Sequence, residues 1–333
     1  MMKKVAIITI AVLSFAFSQA QYLPTTGQPF QFAPVYNPAF TAIDPFGDVR
    51  LAYRSQLGGS YGANSPSFFN ALYQFRLTRS LDPKLNGLRT SNPVKGDESA
   101  RILGISHGMS ANVFDEELGI MARKGGGIGY AFHFPVSEKL MLAVGTSMMI
   151  ENLRVNADEI YLGANPDPDP IYQQILAGKA NNTQLNVRAG AVLYSRAFYV
   201  GLSYLPVWKH DLTDAGWLTA GSIHKAVLQT GVSFDLSETV QLKPSIVAIL
   251  SQDNKVDMDY GVKVFLRNIV WAGAMWRDTG TGAAQLGYNI NKMFSASYSY
   301  EISTGEWKFG SGSHELVLGI RLNNFRNQPS YIW

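Results

Sequence analysis

From about residue 48 to residue 323, apolar side chains recur at every second position in stretches of about nine to thirteen residues. A period of two sends successive side chains to opposite faces of an extended strand. In 255–266 one face carries Val256, Met258, Tyr260, Val262, Val264 and Leu266, and the other Lys255, Asp257, Asp259, Gly261 and Lys263. Residues 293–301 set Phe294, Ala296, Tyr298 and Tyr300 against Ser295, Ser297, Ser299 and Glu301. Residues 315–322 alternate Leu316, Leu318, Ile320 and Leu322 with Glu315, Val317, Gly319 and Arg321. Strands of about nine to eleven residues or more, oily on one face and wet on the other, suit a sheet with lipid outside and polar groups within. Lipid offers backbone N–H and C=O groups no partner, so such a sheet must close on itself. A soluble sandwich alternates too, but its strands run to only about five or six residues.

The periodicity predicts an all-β fold: a transmembrane antiparallel β-barrel of fourteen strands, near 48–56, 66–78, 101–113, 126–136, 139–153, 182–195, 197–207, 225–236, 239–251, 255–267, 269–277, 282–290, 293–303 and 313–323. An even count is what a closed bacterial barrel requires. Tight connections at Ser137-Glu138, Ser195-Arg196, Ser237-Glu238, Arg267-Asn268 and Asn291-Lys292 all fall on one side. Long connections at 157–181 and 208–224, with shorter ones at 114–125 and 304–312, fall on the other. Bacterial barrels turn tightly in the periplasm and loop outside, which puts the N-terminus in the periplasm. The stretch 79–100 departs from this rule, being a long connection on the tight side.

Ahead of the strands, Lys3 and Lys4, the apolar run Val5 to Phe17 and Ser18-Gln19-Ala20 form a signal peptide with cleavage expected after Ala20. The expected organisation is residues 1–20 signal peptide, 21–47 an N-terminal periplasmic or plug segment, and 48–333 the outer-membrane barrel. No later stretch reaches the roughly 18 to 20 apolar residues of a spanning helix. The chain has no cysteine, so no disulfide framework supports it. Without Lys3 and Lys4, the 28 basic residues fall to 26 against 25 acidic ones, too balanced for nucleic-acid binding. Charged residues make up only 16%, while Gly (31), Tyr (16) and Phe (18) are abundant, as aromatic-rich strands demand.

Several local patterns invite chemical readings. Gly125-Gly126-Gly127-Ile128-Gly129-Tyr130 resembles a phosphate loop but opens a strand rather than a helix, so packing room for aromatic neighbours is the better account. The five histidines, His107, His133, His210, His224 and His314, have no metal-ligand spacing. His107 and His133 lie in strands where a serine could make a lipid hydrolase, although a wall histidine is the simpler reading. Asn165 to Pro170, with Asp158 and Glu159 upstream, offers carboxylates to calcium or simply an extended solvated loop. Between Gln21 and Asp44, Phe30, Phe32, Tyr36 and Phe40 alternate with Pro24, Pro34 and Pro38, which favours a plug inside the barrel over a free lead-in. No catalytic residue, metal or cofactor is expected.

Five short motifs in order then resemble one family. They are Asn37-Pro38-Ala39-Phe40, Tyr53-Arg54-Ser55-Gln56, Gly127 to His133, Phe198 to Ser203, and Gly312-Ser313-His314-Glu315-Leu316. Together they resemble the PorP/SprF outer-membrane proteins of type IX secretion, found in Bacteroidota. Leu57 and Thr41-Ala42 depart from the tryptophan and glycine common in that family. The resemblance implies a non-enzymatic role in the secretion and gliding machinery. Such a barrel helps export, retain or anchor a secreted, adhesin-like partner through that partner's C-terminal domain, alongside other secretion components. Tyr161, Asp167, Asp169, Trp208 and Trp217, in the two long connections, are the candidate partner-binding residues. Asn37, Pro38, Arg54, Gln56, Gly312, Ser313, His314 and Glu315 read equally well as residues that seat the plug and close the barrel, with Arg54 and Glu315 able to pair across the closing seam. The alternative is an outer-membrane transporter of hydrophobic small molecules, which an even barrel with an N-terminal plug also suits.

Overall fold

The computed structural model describes residues 26–55, 67–78, 105–118, 121–155, 180–213, 224–251, 254–304, 312–324 and 330. Fourteen strands follow one another around a closed barrel. They are β1 (Gly47–Ser55), β2 (Ser67–Thr78), β3 (Ser106–Leu118), β4 (Met121–Ser137), β5 (Leu140–Val155), β6 (Asn181–Tyr194), β7 (Phe198–Asp211), β8 (Lys225–Val232, resuming as Phe234–Ser237), β9 (Val240–Ser251), β10 (Val256–Leu266), β11 (Val270–Arg277), β12 (Thr281–Asn289), β13 (Phe294–Ser303) and β14 (Ser313–Leu322). Every neighbouring pair is antiparallel. The last strand returns to the first, with Gly47 opposite Leu322 and Ser55 opposite His314, so the sheet has no free edge.

Alternation decides which way each side chain points. In β14, Ser313, Glu315, Val317 and Arg321 are buried toward the lumen while His314, Leu316 and Leu318 face out. Outward aromatic side chains gather toward both rims: Tyr53, Trp208 and Trp276 on the rim that carries the long connections, Tyr288 on the opposite one. Such girdles mark the two interfaces of a transmembrane barrel. No described helix is long and apolar enough to cross a membrane, and the crossing is made by strands.

Two boundaries differ from the periodicity. β3 and β4, expected at 101–113 and 126–136, meet instead across a nearly continuous ladder from Ser106↔His133 to Leu118↔Met121, and the connection expected at 114–125 is mostly strand. Its charges lie in the ladder: Lys124 Nζ is 2.9 Å from Asp115, and Arg123, opposite Glu116 in the register, pairs with Glu151 at 2.7 Å. Gly125 leaves room there for Phe114, whose ring a Cβ would approach at 2.7 Å. β7 runs on to Asp211, so Trp208 and His210 belong to a strand rather than to a loop beginning at 208. The stretch 79–100 lies outside the described residues.

Leu286 sits mid-strand in β12 and faces the lipid. Leu286→Arg is expected to lower the unfolding free energy in liposomes by about 2–4 kcal/mol, measured by denaturant titration.

Candidate functional site

Residues 26–46 fill the lumen. Prolines build this segment, because each fixes φ near the helical value and needs no N–H partner. Pro29, Pro34 and Pro38 open three successive single turns, Pro29–Phe32, Ala33–Tyr36 and Pro38–Phe40. Asn37 is extended between the second and third, and its side-chain oxygen caps the third turn by accepting from Ala39 N at 3.0 Å. Its amide also donates to the Ala191 carbonyl of β6 at 3.2 Å.

The wall behind this turn is bare backbone. Gly145 and Gly190 are direct cross-strand partners on β5 and β6, and Gly201 follows on β7. A Cβ at Gly145 would stand 2.5 Å from Ala39 N, and one at Gly201 would stand 2.7 Å from the Phe40 ring. At Gly190 it would collide with Asn37 Oδ1. Beside this cradle, Phe40 and Ile43 join Met141, Val192, Tyr194 and Tyr199 in a buried hydrophobic cluster. Phe32, Val35 and Tyr36 form a second with Leu72, Leu205, Val227 and Val317. Burial raises the Tyr36 hydroxyl well above its ordinary pKa, so it stays protonated.

Polar contacts hold the plug at its sides. Glu315 accepts from the Thr26 hydroxyl at 2.9 Å and from Gly27 N at 2.8 Å. Arg277 donates to Thr26 O at 2.7 Å while pairing with Glu301 at 2.7 Å and Asp259 at 3.3 Å. Arg54 lies opposite Glu315 across the closing seam, yet its shorter contact is with Glu301, at 3.0 Å against 4.0 Å. On the far wall Arg188 donates to Val35 O at 3.2 Å and pairs with Glu151, which also takes Arg123 at 2.7 Å. Below, the Ser330 hydroxyl donates to Asp44 at 2.7 Å and Lys243 donates to Ser330 O at 3.1 Å, so Ser330 lies under the plug.

The candidate residues therefore separate. Asn37, Pro38, Arg54 and Glu315 converge on the plug and its seam. Gly312, at φ +94°, opens β14 in a backbone conformation that favours glycine, and Ser313 points inward behind it. His314 faces out, with Nδ1 2.6 Å from the Tyr298 hydroxyl. Trp208 also faces out, stacked on His210 at 5.8 Å. Gln56, Tyr161, Asp167, Asp169 and Trp217 lie outside the described residues, as do Asn165 to Pro170.

His133 has a role that its sequence position did not disclose. It is fully buried, with Nε2 2.9 Å from Thr41 O and Nδ1 3.0 Å from the Tyr194 hydroxyl. Only a protonated Nε2 can donate to a carbonyl, which leaves Nδ1 to accept from Tyr194. Ser106 stands directly opposite, but both ring nitrogens are committed to these partners and the Ser106 hydroxyl accepts from Arg76 at 2.7 Å. The pair latches the plug and is not assembled for nucleophilic attack. Arg277, Glu301 and Gln285, which donates to Gly27 O at 2.6 Å, were legible only as members of a wet face.

Motif and seat thus coincide: Asn37-Pro38-Ala39-Phe40 is the part of the plug that the glycine cradle receives. A family model described as "Type IX secretion system membrane protein PorP/SprF" matches residues 18–320. The chain belongs to the PorP/SprF family. As a PorP/SprF barrel it is a protein of the bacterial outer membrane. No curated protein matches it in sequence. Among solved structures it is similar to the CymD monoaromatic hydrocarbon channel, at 11% identity and TM-score 0.49 over 90% of this chain and 92% of that one. The Pseudomonas putida toluene transporter TodX is 10% identical at TM-score 0.44, over 92% and 95%. A Pseudomonas aeruginosa FadL homologue is 13% identical at TM-score 0.43, over 91% and 94%.

Gly190→Val drives a side chain into Asn37. The barrel of this variant is expected to assemble with its plug unseated, read as ion conductance in planar bilayers where the parent protein is silent. Reversing Arg54 or Glu315 strands buried charges and is expected to cost about 3–5 kcal/mol, read as loss of heat-resistant barrel on gels. Exchanging both is not expected to restore it, because a carboxylate at 54 faces Glu301 and a guanidinium at 315 meets the Thr26 and Gly27 donors.

Proposed function

We propose that this PorP/SprF barrel holds the C-terminal domain of an exported, adhesin-like protein at the outer face of the membrane, acting by binding and not by chemistry. The observation that carries the reading is a lumen occupied by the chain's own plug. Among the described residues, two voids beside that plug measure ≈ 20 Å³ and ≈ 10 Å³. Small-molecule sites need about 300 Å³ or more, so a transporter of hydrophobic molecules requires the plug to leave. A blocked lumen leaves the outer rim as the working surface, and membership of a secretion-system family supplies the kind of partner.

The tight turns lie in the periplasm by the usual asymmetry of bacterial barrels, which puts the connections after β5 and β7 outside. Tyr161, Asp167, Asp169 and Trp217 lie in those two connections, with Trp208 at their foot on β7. Tryptophan and tyrosine are the side chains that most often anchor a protein interface. Gliding motility is the cellular process such an anchored adhesin serves.

Deleting residues 157–179 and 214–223, which spares β7, is expected to leave a folded barrel and to release the secreted partner into the medium. A partner that stays on the cell surface after both deletions contradicts the reading. Affinity capture of the parent barrel is expected to bring down a large secreted protein, and capture of a bound lipid instead favours the transporter.

A further inference from the structure

Lys243 and Lys263 are direct cross-strand partners on the inner face of β9 and β10. Like charges so placed repel one another. Both are buried, at 7% and 2% exposure, so little water screens them. Lys243 donates to the Ser330 carbonyl, but among the described residues the Lys263 ammonium has no hydrogen-bond acceptor. Its contact is the face of Phe30, with Nζ 3.2 Å from the ring centroid. That interaction serves one side of the ammonium and leaves its other donors unanswered.

Space adjoins those donors. Two voids, ≈ 20 Å³ and ≈ 10 Å³, are both bounded by Lys263, Ser245 and Tyr199. The larger is also lined by Gln229, Gln285 and Asp259, and the smaller by Lys243 and Ser233. Asp259, in the lining of the larger void, is engaged by Arg277 at 3.3 Å. Asp44, near Lys243, already accepts from Ser330. Voids of this size admit one water-sized occupant each. A tetrahedral oxyanion is too large, and an apolar guest would leave the ammonium unsatisfied.

We propose that Lys243 and Lys263, with the Ser245 hydroxyl, bind a single small monovalent anion of the halide class between the wall and the plug. The anion offsets the repulsion of the two ammonium groups and supplies the acceptor that Lys263 lacks. Because the Lys263 ammonium also lies on the face of Phe30, which lines the adjoining larger void, binding also couples the plug to β10.

The test uses the full chain purified in detergent in sodium gluconate, titrated with sodium bromide at constant ionic strength. Bromide is expected to raise the unfolding temperature in a saturable way, and crystals grown in bromide to show one anomalous peak between the two lysines. Lys263→Met is expected to weaken bromide binding by about tenfold or more, as loss of a charge-assisted hydrogen bond implies. Lys292→Met, on an exposed turn, is expected to leave it unchanged. Equal unfolding temperatures in bromide and gluconate, or a map with water alone between the lysines, overturn the proposal. So does a bromide response that Lys263→Met leaves intact. Should Lys263→Met fail to assemble, the anomalous map of the parent protein still decides.

Discussion

Asn37 meets the barrel wall where Gly145, Gly190 and Gly201 carry no side chain, so a capped prolyl turn lies directly on strand backbone. The rest of the interior depends on that approach. With the turn seated, Phe40 falls into the cluster around Val192 and Tyr199, and Thr41 presents its carbonyl to His133. A single methyl group at Gly190 would lift the turn and separate these contacts together. Small residues in the wall therefore select where the plug sits, and the plug's apolar groups supply the energy.

Magnitudes support that division. Fully burying a side chain such as Phe32, Phe40 or Ile43 contributes about 1.5–3 kcal/mol each. The charged contacts of Arg54, Arg277, Glu301 and Glu315 are buried pairs, whose Coulombic gain is largely offset by desolvation. Their worth lies in what happens when one member is missing, since a lone buried charge is expensive. They discriminate between a seated plug and a displaced one more than they stabilise the barrel. Glu301 illustrates this by receiving Arg54 from β1 and Arg277 from β11, tying three strands to one carboxylate.

Much of the architecture was legible in the residues. Clean alternation, as in Val256 to Leu266, located nearly every strand to within a few residues, because a slip of one would turn lysines and aspartates into lipid. The alternation blurred where both faces are polar or glycine-rich, and there the boundaries moved: Asp115, Glu116, Arg123 and Lys124 read as loop and are ladder. The plug's aromatic and proline content was visible, but its seat was not. Period-two patterning reports which face a residue occupies and says nothing of which residue, some hundred positions away, lies across the lumen. His133 shows the gap, being one wall histidine among five until Thr41 and Tyr194 are brought beside it.

The bond from Thr26 to Glu315 joins residues 289 positions apart, and Arg277, Gln285 and Ser330 reach the same segment from equally late in the chain. Contacts of such separation cannot form until the strands that bear them exist, and closing so long a loop is entropically slow. The plug is thus made before the strands that hold it and must wait for the last of them to find its partners. Its seating registers completion: a chain truncated before β14 has neither the carboxylate that receives Thr26 nor the strand that closes on β1. An occupied lumen is in this sense a record that the whole barrel was built.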